Sequence, residues 1–177
     1  DPPILILDEP TDGLDPNQKY QVRTLIREMA ADKAIIISTH ILEEVNAVCD
    51  RAMIIDHGKI VADGTPSELE SRSKYHNAVS ISVAMDAAKE MEKILKALPQ
   101  VARVEAGAKE KGVQDYMVFP KEGAAIVREV SDLARDRGWR VEELYAERGR
   151  LDEVFRNLTI GDAVAMEQRE KGGRARA

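Results

Sequence analysis

Residues 4–10 read ILILDEP, in which four large aliphatic side chains are followed at once by two acids. An aliphatic run without alternation predicts a strand buried on both faces, as in a parallel sheet covered by helices. Ligands of open α/β sheets bind outside the carboxyl ends of strands, where Asp8 and Glu9 would lie. Adjacent carboxylates there indicate a hydrated cation, although a solvated acidic turn after a buried strand would give the same letters.

The residues after this strand predict a helix that begins at Pro16. Asp15 is a favourable N-cap, proline suits the first helical position, and Gln18 stands where a capping box places its second side chain. Helical spacing gives the segment one apolar stripe, which we expect to face the core. The stripe consists of Val22, Leu25, Ile26 and Met29.

A second aliphatic run, residues 34–37, ends in Ser38, Thr39 and His40. A second buried strand would therefore deliver His40 to the edge of the sheet where the two acids lie. Residues 41–48 predict a short amphipathic helix whose glutamates face solvent. Residues 52–62 predict a β-hairpin that turns at His57-Gly58.

Three segments in this order resemble motifs of ATP-binding cassette (ABC) ATPases. Residues 8–11 (DEPT) resemble the Walker B segment, 13–16 (GLDP) the D-loop, and 38–40 (STH) the switch histidine. The likeness covers about the first 70 residues. It is to subunits that drive multidrug-type or gliding-associated exporters of bacteria. It implies an α/β fold, namely an incomplete P-loop nucleotide hydrolase portion.

The resemblance implies a role for four side chains, with ATP and Mg²⁺ as cofactors. Asp8 would hold Mg²⁺ through water, and Glu9 would orient the attacking water and accept its proton. His40 would donate a hydrogen bond to the γ-phosphate. Asp15 would contribute to nucleotide binding across a dimer interface, besides capping its helix. The alternatives are a solvated acid for Glu9 and a packed imidazole for His40.

The second half of the chain predicts a separate domain. Residues 71–77 are polar and aperiodic and read as a linker, so we expect an ATPase portion at 1–73 and an α+β domain at 74–160. The strand-helix-strand-strand-helix-strand order of that domain indicates a ferredoxin-like arrangement. Residues 151–159 resemble the closing segment of an accessory domain found on many exporter ATPases. Residues 161–177 lack apolar spacing and predict a disordered tail.

Composition limits the partners of the chain. The 177 residues carry a net charge of −6, which gives no electrostatic case for binding nucleic acid. No apolar run approaches membrane-spanning length, so we expect membrane contact to go through a partner. Cys49 is the only cysteine, which excludes an internal disulfide and indicates a reducing compartment. These features fit a cytoplasmic protein that is peripheral on the inner face of the cell membrane.

The function that follows is an ATPase subunit that pairs with a second copy and powers an integral membrane permease. The sequence contains no G-x-x-x-x-G-K-[ST] phosphate loop and opens abruptly on a buried strand, so we interpret it as the C-terminal part of a longer ATPase, inactive alone. One alternative is a soluble ABC-type ATPase that acts on ribosomes or DNA. Another is a binding or dimerisation module in the C-terminal half, whose role could equally be that of a stabilising appendage.

Overall fold

The computed structural model describes residues 2–110 and 112–159, and the chain divides into two compact units. The first unit ends at Pro66 and the second begins at Ser67, whereas the sequence placed the division after residue 73. The tail predicted over 161–177 lies outside the described residues.

The first unit combines a parallel strand pair, two helices and a β-hairpin. Its elements are β1 (Ile4–Asp8), α1 (Pro16–Met29), β2 (Ala34–Ser38), α2 (Leu42–Val48), β3 (Ala52–Asp56) and β4 (Lys59–Gly64). β1 and β2 run parallel, while β3 and β4 are antiparallel and turn at His57-Gly58, as predicted. Both turn residues have positive φ, 48° and 74°, as a tight hairpin turn requires. Helix α3 (Pro66–Glu70) follows at the division between the units.

The prediction that β1 is buried on both faces is wrong. Ile4 is 58% exposed and Ile6 is 73% exposed, whereas Leu5 and Leu7 on the other face are half-buried. Among the described residues β1 pairs with β2 alone, and Ile36 of β2 is also exposed. Side chains of a strand alternate between its two faces, so among the described residues one face of β1 is half-buried and the other is exposed.

Helix α1 begins where the sequence predicts, but its apolar stripe is narrower than expected. Ile26 is buried and Val22 and Met29 are half-buried. Leu25 is 53% exposed, so the expectation that it faces the core is wrong.

The second unit follows the predicted order of strands and helices. Its elements are β5 (Val79–Ala84), α4 (Met85–Ala97), β6 (Val101–Glu110), β7 (Val113–Pro120), α5 (Val127–Asp136) and β8 (Val141–Ala146). The strands form one antiparallel sheet in the order β6-β7-β5-β8. Alternate residues of β5 pack with Met91 and Leu95 of α4 and with Val130 of α5 to form the core. Both helices therefore cover one face of the sheet.

The polar residues 71–77 are fastened to the second unit instead of forming an open linker. The backbone N–H of Lys74 donates to Glu153 at 3.2 Å, and the side-chain amide of Asn77 donates to the carbonyl of Gly123 at 2.7 Å. Glu153 is nearly buried on a helix that the structure describes over 151–159. The hydrogen-bond partners of this segment are distant along the chain. The sequence therefore shows only polar residues without periodicity, which is the pattern of a linker.

None of the helices among the described residues combines the length and the apolar content needed to cross a bilayer.

Replacing Gly149 with alanine should destabilise the second unit. Gly149 has φ +114°, and a Cβ built there would lie 2.2 Å from the carbonyl oxygen of Glu70. The substitution therefore combines a backbone conformation that L-residues avoid with a backbone clash, and we expect a loss of about 2 kcal/mol or more. Denaturant unfolding followed by fluorescence of Trp139 would measure it, since that indole packs against the core of this unit.

Gly138→Ala is the matched control for this prediction. Gly138 also has a positive φ, +64°, but a Cβ there meets nothing within 4 Å. The left-handed conformation alone should cost about 1–2 kcal/mol. If the two variants lose the same free energy of unfolding, the contact with Glu70 does not restrict position 149.

Candidate functional site

The parallel register of β1 and β2 places Asp8 beside Ser38 at the carboxyl ends of the two strands. The hydroxyl of Ser38 donates a hydrogen bond to the Asp8 carboxylate. This bond engages one carboxylate oxygen. The other oxygen can accept a hydrogen bond from water or coordinate a cation. The predicted position of Asp8 at the sheet edge is confirmed.

Glu9 leaves the strand in a left-handed conformation, with φ +44°. Its backbone N–H donates to the carbonyl of Ser38 at 3.0 Å, and its own carbonyl accepts from the N–H of Asp12 at 3.1 Å. Such a conformation costs a non-glycine residue of order 1–3 kcal/mol, and Pro10 restricts the preceding residue further. Strain of this kind concentrates at functional sites, where surrounding contacts hold it in place.

His40 meets Glu9 at this edge of the sheet. Its Nδ1 lies 2.9 Å from Oε2 of Glu9, and its backbone N–H lies 3.4 Å from the same oxygen. Both side chains are accessible, with 68% of the His40 side chain and 35% of the Glu9 side chain exposed. The hydrogen bond to Glu9 raises the pKa of His40, and the negative charges of Glu9, Asp12 and Glu44 raise it further.

The protonation of His40 decides what its second nitrogen can do. A carboxylate only accepts hydrogen bonds, so the contact with Glu9 assigns the hydrogen to Nδ1. In a neutral ring Nε2 would then be an acceptor, whereas in the imidazolium both nitrogens are donors. The raised pKa favours the imidazolium, which presents Nε2–H as a donor for an anionic oxygen.

Asp15 lies at the start of α1 and acts there as a helix cap. Its Oδ1 accepts from the N–H groups of Asn17 at 2.8 Å and Gln18 at 3.0 Å. In the reciprocal hydrogen bond, Oε1 of Gln18 accepts from the backbone N–H of Asp15 at 3.3 Å. The predicted capping box is confirmed, and it is worth about 1 kcal/mol. Asp8, Glu9 and His40 thus share one edge of the sheet, while Asp15 serves the adjoining helix.

The oxygen atoms at this edge fit magnesium better than a metal that requires many protein ligands. Mg²⁺ keeps several waters and takes one or two carboxylates, and here Asp8 and Glu9 are adjacent with the Ser38 hydroxyl beside them. Within residues 2–110 and 112–159, no group of three or more histidine, cysteine or acidic side chains is arranged to hold a metal.

Sequence reasoning missed the buried polar side chains beneath this edge. Glu44 was predicted to face solvent, and this is wrong, because its side chain is 2% exposed. It accepts from the hydroxyl of Thr39 at 3.1 Å and lies 3.8 Å from Arg23 of α1. Spacing carried the signal: Glu44 follows Ile41 by three residues and precedes Val48 by four, which places it on the apolar face of α2.

Several known proteins are similar in sequence to this chain. No protein-family model matches the chain. Over 159 residues it is 32% identical to the daunorubicin resistance ATP-binding protein DrrA2 of Streptomyces coeruleorubidus, an alignment that covers 89% of this chain and 48% of that protein. Over 78 residues it is 44% identical to an uncharacterized ABC transporter ATP-binding protein of Nostoc, covering 43% of this chain and 23% of that protein. The chain is therefore similar, over most of its length, to an ABC transporter-type ATP-binding protein.

A third similar protein is named for an export function. The chain is 43% identical over 70 residues to the Nod factor export ATP-binding protein I of Sinorhizobium fredii, covering 39% of this chain and 20% of that protein. The family resemblance that residues 8–11, 13–16 and 38–40 indicated is therefore confirmed. The chain spans about half the length of the drug-resistance relative.

Replacing Glu9 with glutamine should lower the pKa of His40 toward its ordinary value of 6.5, because the carboxylate is the largest cause of the shift. NMR titration of the imidazole in the 177-residue chain measures this directly, since the sequence has only three histidines. Asp12→Asn is the matched control and should have a smaller effect, because Asp12 acts only through its charge. An unchanged His40 titration in Glu9→Gln would mean that the two side chains do not meet in solution.

The same pair sets the direction of one pH effect on stability. The pKa of His40 is higher in the folded chain, so its contribution is fully present below about pH 6.5 and is lost as the pH rises through the folded value. Glu9→Gln should therefore reduce stability more at pH 6 than at pH 9. Paired denaturation curves at these pH values measure the difference, which should be small for so exposed a pair.

Proposed function

We propose that this chain carries the Walker B, D-loop and switch-histidine part of an ATP-hydrolysing subunit that powers export through a membrane permease. The single observation that carries the proposal is the contact between Glu9 and His40 beside Asp8 at the ends of two parallel strands. The names of the relatives, which refer to drug resistance and Nod factor export, support export as the direction. The phosphate loop would come from residues outside these 177.

The proposed chemistry is phosphoryl transfer from ATP to water. When bound, magnesium supplies positive charge to the β- and γ-phosphates. Asp8 would hold that ion through water, using the carboxylate oxygen that Ser38 leaves available. Glu9 would orient the attacking water and accept its proton, and its left-handed backbone supports this role by turning the residue out of the strand.

His40 would recognise the γ-phosphate through Nε2. Its Nδ1 is engaged by Glu9, and the raised pKa favours the form that has a second donor available. A charged donor at an oxyanion forms a stronger hydrogen bond than a neutral one. Glu9 would therefore hold the imidazole in its donor form before the water is activated. Asp15 would lie at the interface with a second ATPase subunit while its capping box fixes the start of α1.

The second unit is proposed to be a ferredoxin-like accessory domain. Its β-α-β-β-α-β order, its antiparallel sheet order β6-β7-β5-β8 and the two helices on one face support this assignment. The boundary with the ATPase portion would fall between Pro66, where the compact units divide, and residue 73, where the sequence divides. We propose no catalytic residue in this domain.

The proposed partners are an integral membrane permease and a second copy of the subunit, with the pair peripheral on the cytoplasmic face of the membrane. ABC relatives support a permease over a ribosome or DNA. Affinity purification of the complete subunit from solubilised membranes should recover a multi-span membrane protein. Recovery of ribosomes or nucleic acid instead would favour the soluble ABC-type ATPase.

Glu9→Gln in the complete subunit should leave the affinity for Mg-ATP nearly unchanged and reduce turnover by about 10²- to 10⁴-fold. Glutamine keeps the shape of the side chain but is not a base. Steady-state phosphate release and equilibrium nucleotide binding measure the two effects separately. Glu28→Gln removes an exposed charge from α1 and should keep wild-type turnover. If Glu9→Gln keeps wild-type turnover, Glu9 is not the base and the proposed function loses its central residue.

A further inference from the structure

The least expected feature of the first unit is a buried glutamate next to the loop that carries His40. The side chain of Glu44 is 2% exposed although the residue lies in the first turn of a seven-residue helix. Burial of a carboxylate is unfavourable unless charge and hydrogen bonds compensate it. Replacing such a group with a hydrophobic residue is often neutral or stabilising, so a buried glutamate indicates a role other than packing.

The contacts of Glu44 lead directly to the two neighbours of His40. Its Oε2 accepts from the hydroxyl of Thr39 at 3.1 Å. The oxygen of that hydroxyl accepts in turn from the backbone N–H of Ile41, also at 3.1 Å. The Thr39 hydroxyl thus connects the carboxylate to the backbone on both sides of His40. Because a carboxylate only accepts, it also determines that the hydroxyl hydrogen points toward Glu44 and that the oxygen lone pairs face Ile41.

Arg23 supplies the opposite charge from a different element. Its Nη2 lies 3.8 Å from the second carboxylate oxygen of Glu44, and its side chain is 23% exposed. That distance gives a charge contact and no hydrogen bond. Among residues 2–110 and 112–159, the buried Oε1 of Glu44 has no hydrogen-bond partner. The carboxylate therefore lies between α1 and the 39–41 loop, and the Thr39 hydroxyl connects it to that loop by a hydrogen bond.

We propose that Glu44 is a positioning residue for His40, acting through the Thr39 hydroxyl to hold residues 39–41 so that the imidazole meets Glu9. The inference deepens the proposed function, since it rests on the role given there to His40. Glu44 itself lies too deep to touch a substrate. Its effect reaches the reacting groups through Thr39 and the backbone of Ile41.

The decisive variant is Thr39→Val, which removes the hydroxyl, keeps the shape and changes no charge. We expect it to lower the pKa of His40 toward 6.5, because an imidazole that leaves Glu9 loses the main cause of its shift. Hydrogen exchange at the Ile41 amide should rise about fivefold, the loss expected for one ordinary hydrogen bond. Thr39→Ser keeps the hydroxyl and should restore both readouts. The measurement is NMR on the 177-residue chain.

Glu44→Ala should produce the same two changes, and the double variant with Thr39→Val should add little to either single one. The charge of Glu44 also raises the pKa of His40, together with Glu9 and Asp12, so the neutral Thr39 variants separate position from charge. Glu43→Gln is the matched control, since Glu43 lies in the same turn but is exposed, and it should leave the Ile41 amide unchanged. Should Glu44→Ala fail to fold, the Thr39→Val and Thr39→Ser pair decides alone.

The outcomes separate this inference from the proposed function. A wild-type His40 titration in Thr39→Val, or equal titrations in Thr39→Val and Thr39→Ser, would overturn the positioning role and leave Glu44 as a packing residue. These measurements need no nucleotide, so they stand whether or not the complete subunit hydrolyses ATP. If Glu9→Gln keeps wild-type turnover, the ATPase proposal fails, and the comparison of Thr39→Val with Thr39→Ser still decides the positioning role of Glu44.

Discussion

The candidate site depends on one constraint, the parallel pairing of β1 and β2 in a single register from Ile4 opposite Ala34 to Asp8 opposite Ser38. Side chains alternate along a strand, so a slip of one residue would turn Asp8 to the other face. In the observed register the carboxyl ends of β1 and β2 lie side by side, so the residues that follow each strand start at the same edge of the sheet. Glu9 and His40 then meet at 2.9 Å although they are far apart in sequence.

Two kinds of polar contact at this edge have different physical roles. The Glu9–His40 pair is exposed, and a pair of this kind adds little to stability, so its geometry is better explained by function than by folding. Glu44 lies beneath it, where a charge is costly and must be compensated by Arg23 and Thr39. The Glu9–His40 pair is accessible, and the buried Glu44 lies beneath it. This arrangement is expected where a side chain must meet a ligand in one orientation.

In the second unit, polar and close backbone contacts connect segments that are distant along the chain. Glu153 and the backbone of Lys74 connect two segments that are distant along the chain, and Gly149 permits the close approach of its own segment to Glu70. These contacts turn the polar residues 71–77 into part of the unit. The hydrophobic core of the unit is formed by apolar residues of β5, β6, β7, α4 and α5.

Local sequence chemistry determined the positions of the elements and the family resemblance. The capping box at Asp15 and Gln18, the aliphatic runs that end in Asp8-Glu9 and Ser38-Thr39-His40, and the strand and helix order of the second half all depend on residues close together in the chain. Only the tertiary structure decided which faces are buried and what partners the buried charges have. Ile6 is exposed, Glu44 is buried and residues 71–77 are fastened in place, because burial and hydrogen bonding depend on neighbours that lie far away in sequence.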